Sequence, residues 1–254
     1  MDSSNVSEER LEITNKHGEK LVGVLHNTGS KGVVILSHGF RATKEDNIML
    51  NLTAALTKKG ISTFRFDFAG NGESEGQFEF GNYRREADDL HSVVSYFSQN
   101  NADVIAIVGH SKGGNVVLIY ACTYDDVKMV LNLSGRFDLI NGVKERFGEE
   151  LLQKMERDGF IDMKDTKGTY RVTKDSLMDR LNINMAEEVK KIKEECRVLT
   201  VHGTEDEIIP VHDAYEFAKL IPNHKLHIVN EANHCYTSHQ AELASAVVDF
   251  ITSS

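Results

Sequence analysis

Eight short runs of β-forming residues recur along the chain: "RLEIT", "KLVGVLH", "GVVILSH", "STFRFDF", "VIAIVGH", "VKMVLNLS", "CRVLTVHG" and "KLHIVN". From the third onward they are mostly apolar without strict alternation, the pattern of strands covered on both faces in a parallel sheet. Such strands need helices on both sides, and helical patterns fall between them at 46–59, 84–98, 114–123, 212–220 and 239–251. The turn-like "NKHG" between the first two runs marks an antiparallel hairpin at one sheet edge. The pattern predicts an α/β fold: a mostly parallel eight-stranded sheet flanked by helices. At 254 residues with 40% hydrophobic content, one domain can bury the required core.

One segment breaks the rhythm. About sixty residues separate "VLNLSG" from "CRVLTVHG", more than a crossover helix needs. The chain is therefore expected to divide into a core of residues 1–134 and 195–254 and an inserted cap of residues 135–194. Within the insertion, "INGVKERFGEELLQKMER" spaces Ile140, Val143, Phe147, Leu151 and Met155 three or four apart, predicting one amphipathic helix. "FIDMKDTKGTYRV" reads as a small hairpin turning at 164–168. An insertion after this strand emerges beside the carboxyl edge of the sheet, so Val143, Phe147 and Leu151 are candidates for the wall of a substrate pocket.

The chemistry is concentrated at "VIAIVGHSKGGNVVLIYA", where a strand breaks at glycine around Ser111 and resumes as a helix. "GHSKG" fits the G-x-S-x-G nucleophile elbow in its required strand–turn–helix context. The turn is tight enough that its neighbours must be glycine, and Gly109 and Gly113 meet that need. A serine hydroxyl is a poor nucleophile without a base and an orienting carboxylate. Asp206 in "TVHGTEDEIIP" and His234 in "IVNEANHCY" follow in the order Ser, Asp, His, each just past a strand. Glu205 and Glu207 compete for the acid, and His224, His227 and His239 for the base. Acyl transfer also needs two N–H donors for the developing oxyanion, and the backbones of Phe40, in "LSHGF", and Lys112 are the natural pair.

Other features exclude function classes. Twenty-nine Lys and Arg against thirty-nine Asp and Glu give a net charge of −10, which opposes nucleic-acid and anionic-lipid binding. The first residues, "MDSSNVSEERLEI", have no basic and apolar signal pattern, and no run approaches a membrane span. Cys122, Cys196 and Cys235 form neither a disulfide framework nor a zinc pattern, so a cytoplasmic location is expected, with no metal and no cofactor. "GNGESEG" has the wrong spacing for a dinucleotide loop and reads as a turn. Cys235 is expected to be a buried packing thiol, and His38 and His110 to steady loops by hydrogen bonding.

Taken together, "SHGF", "FDFAGNGESEG", "GHSKGG", "HGTEDEIIP" and "ANHCY" resemble the α/β-hydrolase superfamily, in the branch containing cinnamoyl and feruloyl esterases. The resemblance runs from about Leu21 to the C-terminus. It implies an α/β-hydrolase fold, Asp206 rather than Glu205 as the acid, His234 as the base, and the main chains of Phe40 and Lys112 as oxyanion donors. It also implies a small-molecule ester substrate of small to medium size, hydroxycinnamoyl esters among them; a monomer or homodimer is expected. One departure is Lys112, where related esterases often carry glutamine or methionine; a main-chain donor survives that change. A peptidase or amidase, a thioesterase and a slow-turnover small-molecule receptor share the same residue set and stay open.

Overall fold

A computed structural model describes residues 6–253. Eight strands form one sheet: β1 (Ser7–Thr14), β2 (Lys20–Asn27), β3 (Gly32–Ser37), β4 (Ser62–Phe66), β5 (Asp103–His110), β6 (Met129–Leu133), and, beyond the insertion, β9 (Arg197–Gly203) and β10 (His224–Val229). Their order is β1-β2-β4-β3-β5-β6-β9-β10. The β1–β2 and β2–β4 pairs are antiparallel and the others parallel, so the edge hairpin forms where "NKHG" places it.

Side-chain alternation along the parallel strands feeds two cores. Val33, Ile35, Ile107, Val130 and Val198 pack on one face with helices α2 (Tyr83–Gln99), α3 (Lys112–Thr123) and α7 (His212–Leu220). Val34, Leu36, Val108, Leu131 and Val201 pack on the other with α1 (Asn47–Thr57) and α8 (Gln240–Thr252). The apolar strands lack a polar face because both faces are dry. Asp46 starts α1 by accepting the Ile48 N–H at 3.0 Å, satisfying one of the helix's free donors.

Between β6 and β9 lie α4 (Val143–Asp158), β7 (Phe160–Asp165), β8 (Gly168–Thr173), α5 (Lys174–Leu181) and α6 (Met185–Val189). β7 and β8 form a separate antiparallel pair. Val143, Phe147, Met155, Ile161, Tyr170, Val172 and Leu177 make a third apolar cluster with Phe80. Two details differ from the sequence expectation. The amphipathic helix is broken at Gly148 (φ 71°, ψ 163°), and Ile140 lies before it, 63% exposed. The self-contained unit is also narrower than 135–194, because Leu139, Ile183, Met185, Val189 and Ile192 join the core of the main body.

Candidate active site

Ser111 stands between β5 and α3 with φ 56° and ψ −118°, a left-handed conformation that a non-glycine residue holds only when its surroundings impose it. Its N–H donates to the Leu133 carbonyl at 2.8 Å, tying the turn to the end of β6. The packing leaves no room for side chains beside it. A Cβ on Gly109 would lie 2.0 Å from the Gly113 carbonyl oxygen, and one on Gly113 would lie 2.5 Å from that of His38.

His234 follows β10 and is buried; its Nδ1–H donates to Asp206 Oδ2 at 2.7 Å. Burial alone would push the Asp206 carboxyl up. Hydrogen bonds from His202, His234 and the Ile209 N–H overcome that and hold it well below the usual carboxylate range. The acid is therefore ionised at any working pH. Glu205 is exposed, whereas Glu207 accepts the His234 backbone N–H at 3.2 Å. Of the rival histidines, His224 bonds Thr200 at 2.8 Å and His227 faces Glu242 at 3.5 Å.

The loop carrying His234 is fixed at both ends. Tyr236, fully buried, donates its O–H to the Val201 carbonyl at 3.0 Å, so the Ser134 hydroxyl must donate to the Tyr236 oxygen at 2.7 Å. His110 Nε2 lies 2.9 Å from the His234 carbonyl, and only a protonated nitrogen can make that bond. His38 accepts the Phe68 N–H at 3.1 Å through Nε2 and reaches the Gly39 carbonyl through Nδ1 at 2.8 Å. Burial pushes both His38 and His110 down to about 4, so each works as a neutral brace.

The Phe40 loop comes close to Ser111: a Cβ on Gly39 would lie 3.1 Å from Ser111 Cβ. Asp67, fully buried, holds this loop by accepting the Lys44 N–H at 2.6 Å and its ammonium at 2.7 Å. Among the described residues, neither the Phe40 N–H nor the Lys112 N–H has an acceptor. The Lys112 side chain turns away into the body, where its ammonium meets Asn82 Oδ1 and Glu86 Oε1, each at 2.7 Å.

Ser111, His234, Phe40 and Lys112 border one cavity of about 600 Å³. Ser111 and His234 are joined by that shared space rather than by a hydrogen bond between them. The expected wall residues sit elsewhere. Val143 and Phe147 are buried in the third apolar cluster, with Leu151 packed against it. Val143 also borders a separate cavity of about 610 Å³ between α4 and α5, and the α4 residues at the Ser111 cavity are Glu145 and Arg146. Cys235 is likewise not the buried thiol expected; it is exposed at the cavity rim. Partial burial and the charges of Asp46, Glu207 and Asp206 push that thiol up, which keeps it a weak nucleophile.

His202 and the cavity's arginines were not among the sequence candidates. His202 had a signal in "TVHGTED", since an imidazole four residues before an acid on a strand end can turn back to it. Among the described residues, no group of three or more His, Cys, Asp or Glu is placed to hold a metal ion.

The site can be set beside known proteins. Structures similar to this one include Est1E of Butyrivibrio proteoclasticus with ferulic acid bound (TM-score 0.78, 24% identity, covering 95% of this chain and 97% of that one). The α/β hydrolase GrgF of Penicillium sp. sh18 is also similar (TM-score 0.82, 20% identity, 97% and 98% covered). At these identities the likeness shows the fold. The 2,6-dihydropseudooxynicotine hydrolase of Paenarthrobacter nicotinovorans is 24% identical over 216 residues, which span 82% of this chain and 53% of that protein. Residues 28–157 match the family described as serine aminopeptidase, S33, and residues 93–235 match the family described as BAAT / acyl-CoA thioester hydrolase C terminal. Each match spans more than half of the 254 residues, and the chain belongs to the α/β hydrolases.

Proposed function

We propose that the chain is a serine hydrolase of carboxylic esters, with Ser111 as nucleophile, His234 as general base and acid, and Asp206 as its orienting carboxylate. The observation that carries this reading is the convergence, at one cavity, of a strained serine, an imidazole bonded through Nδ1 to an ionised carboxylate, and two unused backbone donors. His234 Nε2 takes the Ser111 proton as Oγ attacks the ester carbonyl. The carbonyl oxygen becomes an oxyanion held by the N–H groups of Phe40 and Lys112. Collapse breaks the C–O bond, and the alkoxide leaves with the proton from His234. Water then repeats the sequence on the acyl-enzyme and releases the acid. Asp206 keeps its charge throughout and stabilises the imidazolium.

The inserted unit serves as a cap over this cavity. Phe40 meets Phe80 and Tyr170 edge-to-face at 5.5 and 5.7 Å, and Phe80 meets Phe147 at 5.3 Å. Its apolar residues therefore fasten the cap to the loop that carries an oxyanion donor. The bound ferulic acid of Est1E favours aromatic esters as first substrates to try. A thioester is the second reading, because the acyl-CoA thioester hydrolase match spans Ser111, Asp206 and His234 together.

The test uses a neutral p-nitrophenyl butyrate and a fluorophosphonate probe. Ser111→Ala should lower kcat by about 10⁴-fold or more with an unchanged fold, and the probe should label the wild type at Ser111. Labelling at another residue, or retention of most activity by Ser111→Ala, refutes the assignment.

A further inference from the structure

The Ser111 cavity holds more positive charge than ester hydrolysis requires, in a chain whose net charge is −10. Arg136, Arg146 and Arg180 all border it. None of the three has a carboxylate within ion-pairing distance among the described residues; their recorded side-chain partners are the Ile208 carbonyl for Arg136, the Tyr170 hydroxyl for Arg146, and the Leu139 carbonyl and Tyr83 hydroxyl for Arg180.

Arg136 and Arg180 are the inner pair, each half-buried, whereas Arg146 is exposed. Arg136 is fixed at the end of β6, where Asn115 on the nucleophile's own helix clamps its backbone, accepting its N–H at 2.9 Å and donating to its carbonyl at 2.6 Å. Arg180 reaches down from α5, its guanidinium 5.2 Å from the centre of the Phe80 ring. Two guanidiniums carry ten N–H donors, and the three bonds above engage three of them. Among the described residues none of their nitrogens is both buried and unpartnered, so the spare donors stay accessible on two side chains that border the cavity. Burial, and then the positive charge of Arg180, push Arg136 below its usual basicity. Two like charges held together at a cavity wall without a counter-ion are a cost that an anionic ligand would remove.

The acids of the same cavity do not fill that role. Asp46 caps α1, Glu207 accepts the His234 N–H, and Glu145 is exposed on α4. Asp213 is the acid whose charge acts most on Arg136, yet it is outside ion-pairing distance and accepts the Phe137 N–H at 2.8 Å.

We propose that Arg136 and Arg180 form a carboxylate-binding subsite, so that the preferred substrates are esters or thioesters that carry a second, ionised carboxylate. The proposal rests on the ester-hydrolase reading above and adds the substrate class. The guanidinium fork matches a carboxylate through paired N–H···O bonds, which a neutral ester cannot exploit. The overall negative charge of the protein works against anionic substrates, so a preference for them has to arise locally.

The experiment compares charged and neutral members of otherwise matched pairs. On the acyl side these are the mono-p-nitrophenyl esters of succinate, glutarate and adipate, each as the free acid and as its methyl ester. On the leaving-group side they are 4-carboxyphenyl butyrate and its methyl ester. The wild type should favour the charged member of at least one pair by about tenfold or more in kcat/KM, the usual worth of a charge-assisted contact, and the ratio should shrink with added salt. Arg136→Gln and Arg180→Gln should each lower that ratio toward one. Equal or better turnover of the neutral member in every pair by the wild type overturns the proposal, without needing either variant to fold. So does a ratio that both folded variants leave unchanged. Hydrolysis of the neutral methyl esters, and its loss in Ser111→Ala, reports on the ester-hydrolase reading separately.

Discussion

The ion pair behind Ser111 makes the sharpest energetic prediction. Lys112 and Glu86 side chains are each 4% exposed and 2.7 Å apart, and burial pushes the Glu86 carboxyl up against the pull of Lys112. With an effective dielectric of about 20, the attraction at that distance is about 6 kcal/mol before either ion's desolvation is charged against it. The net worth of such a pair is small, but breaking it strands a charge, so Glu86→Ala should cost about 3–5 kcal/mol in urea unfolding. Glu86→Gln, which keeps an acceptor for the ammonium, should fall near the lower end. Lys112→Met should be gentler in acid, because the raised Glu86 carboxyl can take a proton: an acid whose folded pKa is raised loses stability as pH climbs through that value. The double variant Lys112→Met with Glu86→Leu should return to within about 2 kcal/mol of the wild type, giving strong non-additivity. A cost below about 1 kcal/mol for Glu86→Ala, or additive effects in the double variant, would refute this account of the pair.

Two further predictions concern the acid and the braces. Asp206→Asn should lower kcat by about 10³- to 10⁴-fold, while Glu205→Gln and Glu207→Gln cost less than about tenfold; equal losses at all three positions would mean the wrong acid was chosen. Burial pushes His38, His110 and His224 from the ordinary 6.5 to about 4, so between those values the unfolded chain takes up protons that the folded one does not. Stability should therefore fall as pH drops from 6.5 towards 4, offset in part by Asp89, which burial lifts to about 6. Urea midpoints at pH 7.5 and 5.0 check this, and a midpoint that stays level or rises at pH 5.0 contradicts it.

The elements of the main sheet were legible because their cause is local. Runs such as "GVVILSH" and "VIAIVGH" carry apolar residues at successive positions up to their polar ends, and the structure buries them on both faces. The elbow was legible because glycine spacing reports a steric demand, and the structure has Gly109 against Gly113 with no room for a Cβ. The break at Gly148 was not, since Phe147 and Leu151 keep their helical spacing across it. Nor was α6, whose five residues are too few to show a period. The partners of Lys112 come from the start of α2, and Arg136 and Arg180 come from the main body and from α5. Pairings that only the tertiary fold creates leave no spacing to read.

The inserted unit shows why periodicity identifies an apolar stripe without telling what covers it. An apolar stripe is stabilised wherever water is excluded, and two places offered that here: a substrate pocket, or the unit's own interior. Val143 and Phe147 went to the interior, against Phe80 and the β7–β8 pair. Residues on the helix's other side, Glu145 and Arg146, are left at the cavity, with Arg146 4.8 Å over the Phe40 ring. On the proposed reading, a substrate entering there would meet guanidinium groups and aromatic faces instead of an aliphatic wall, which favours discrimination by charge over discrimination by chain length.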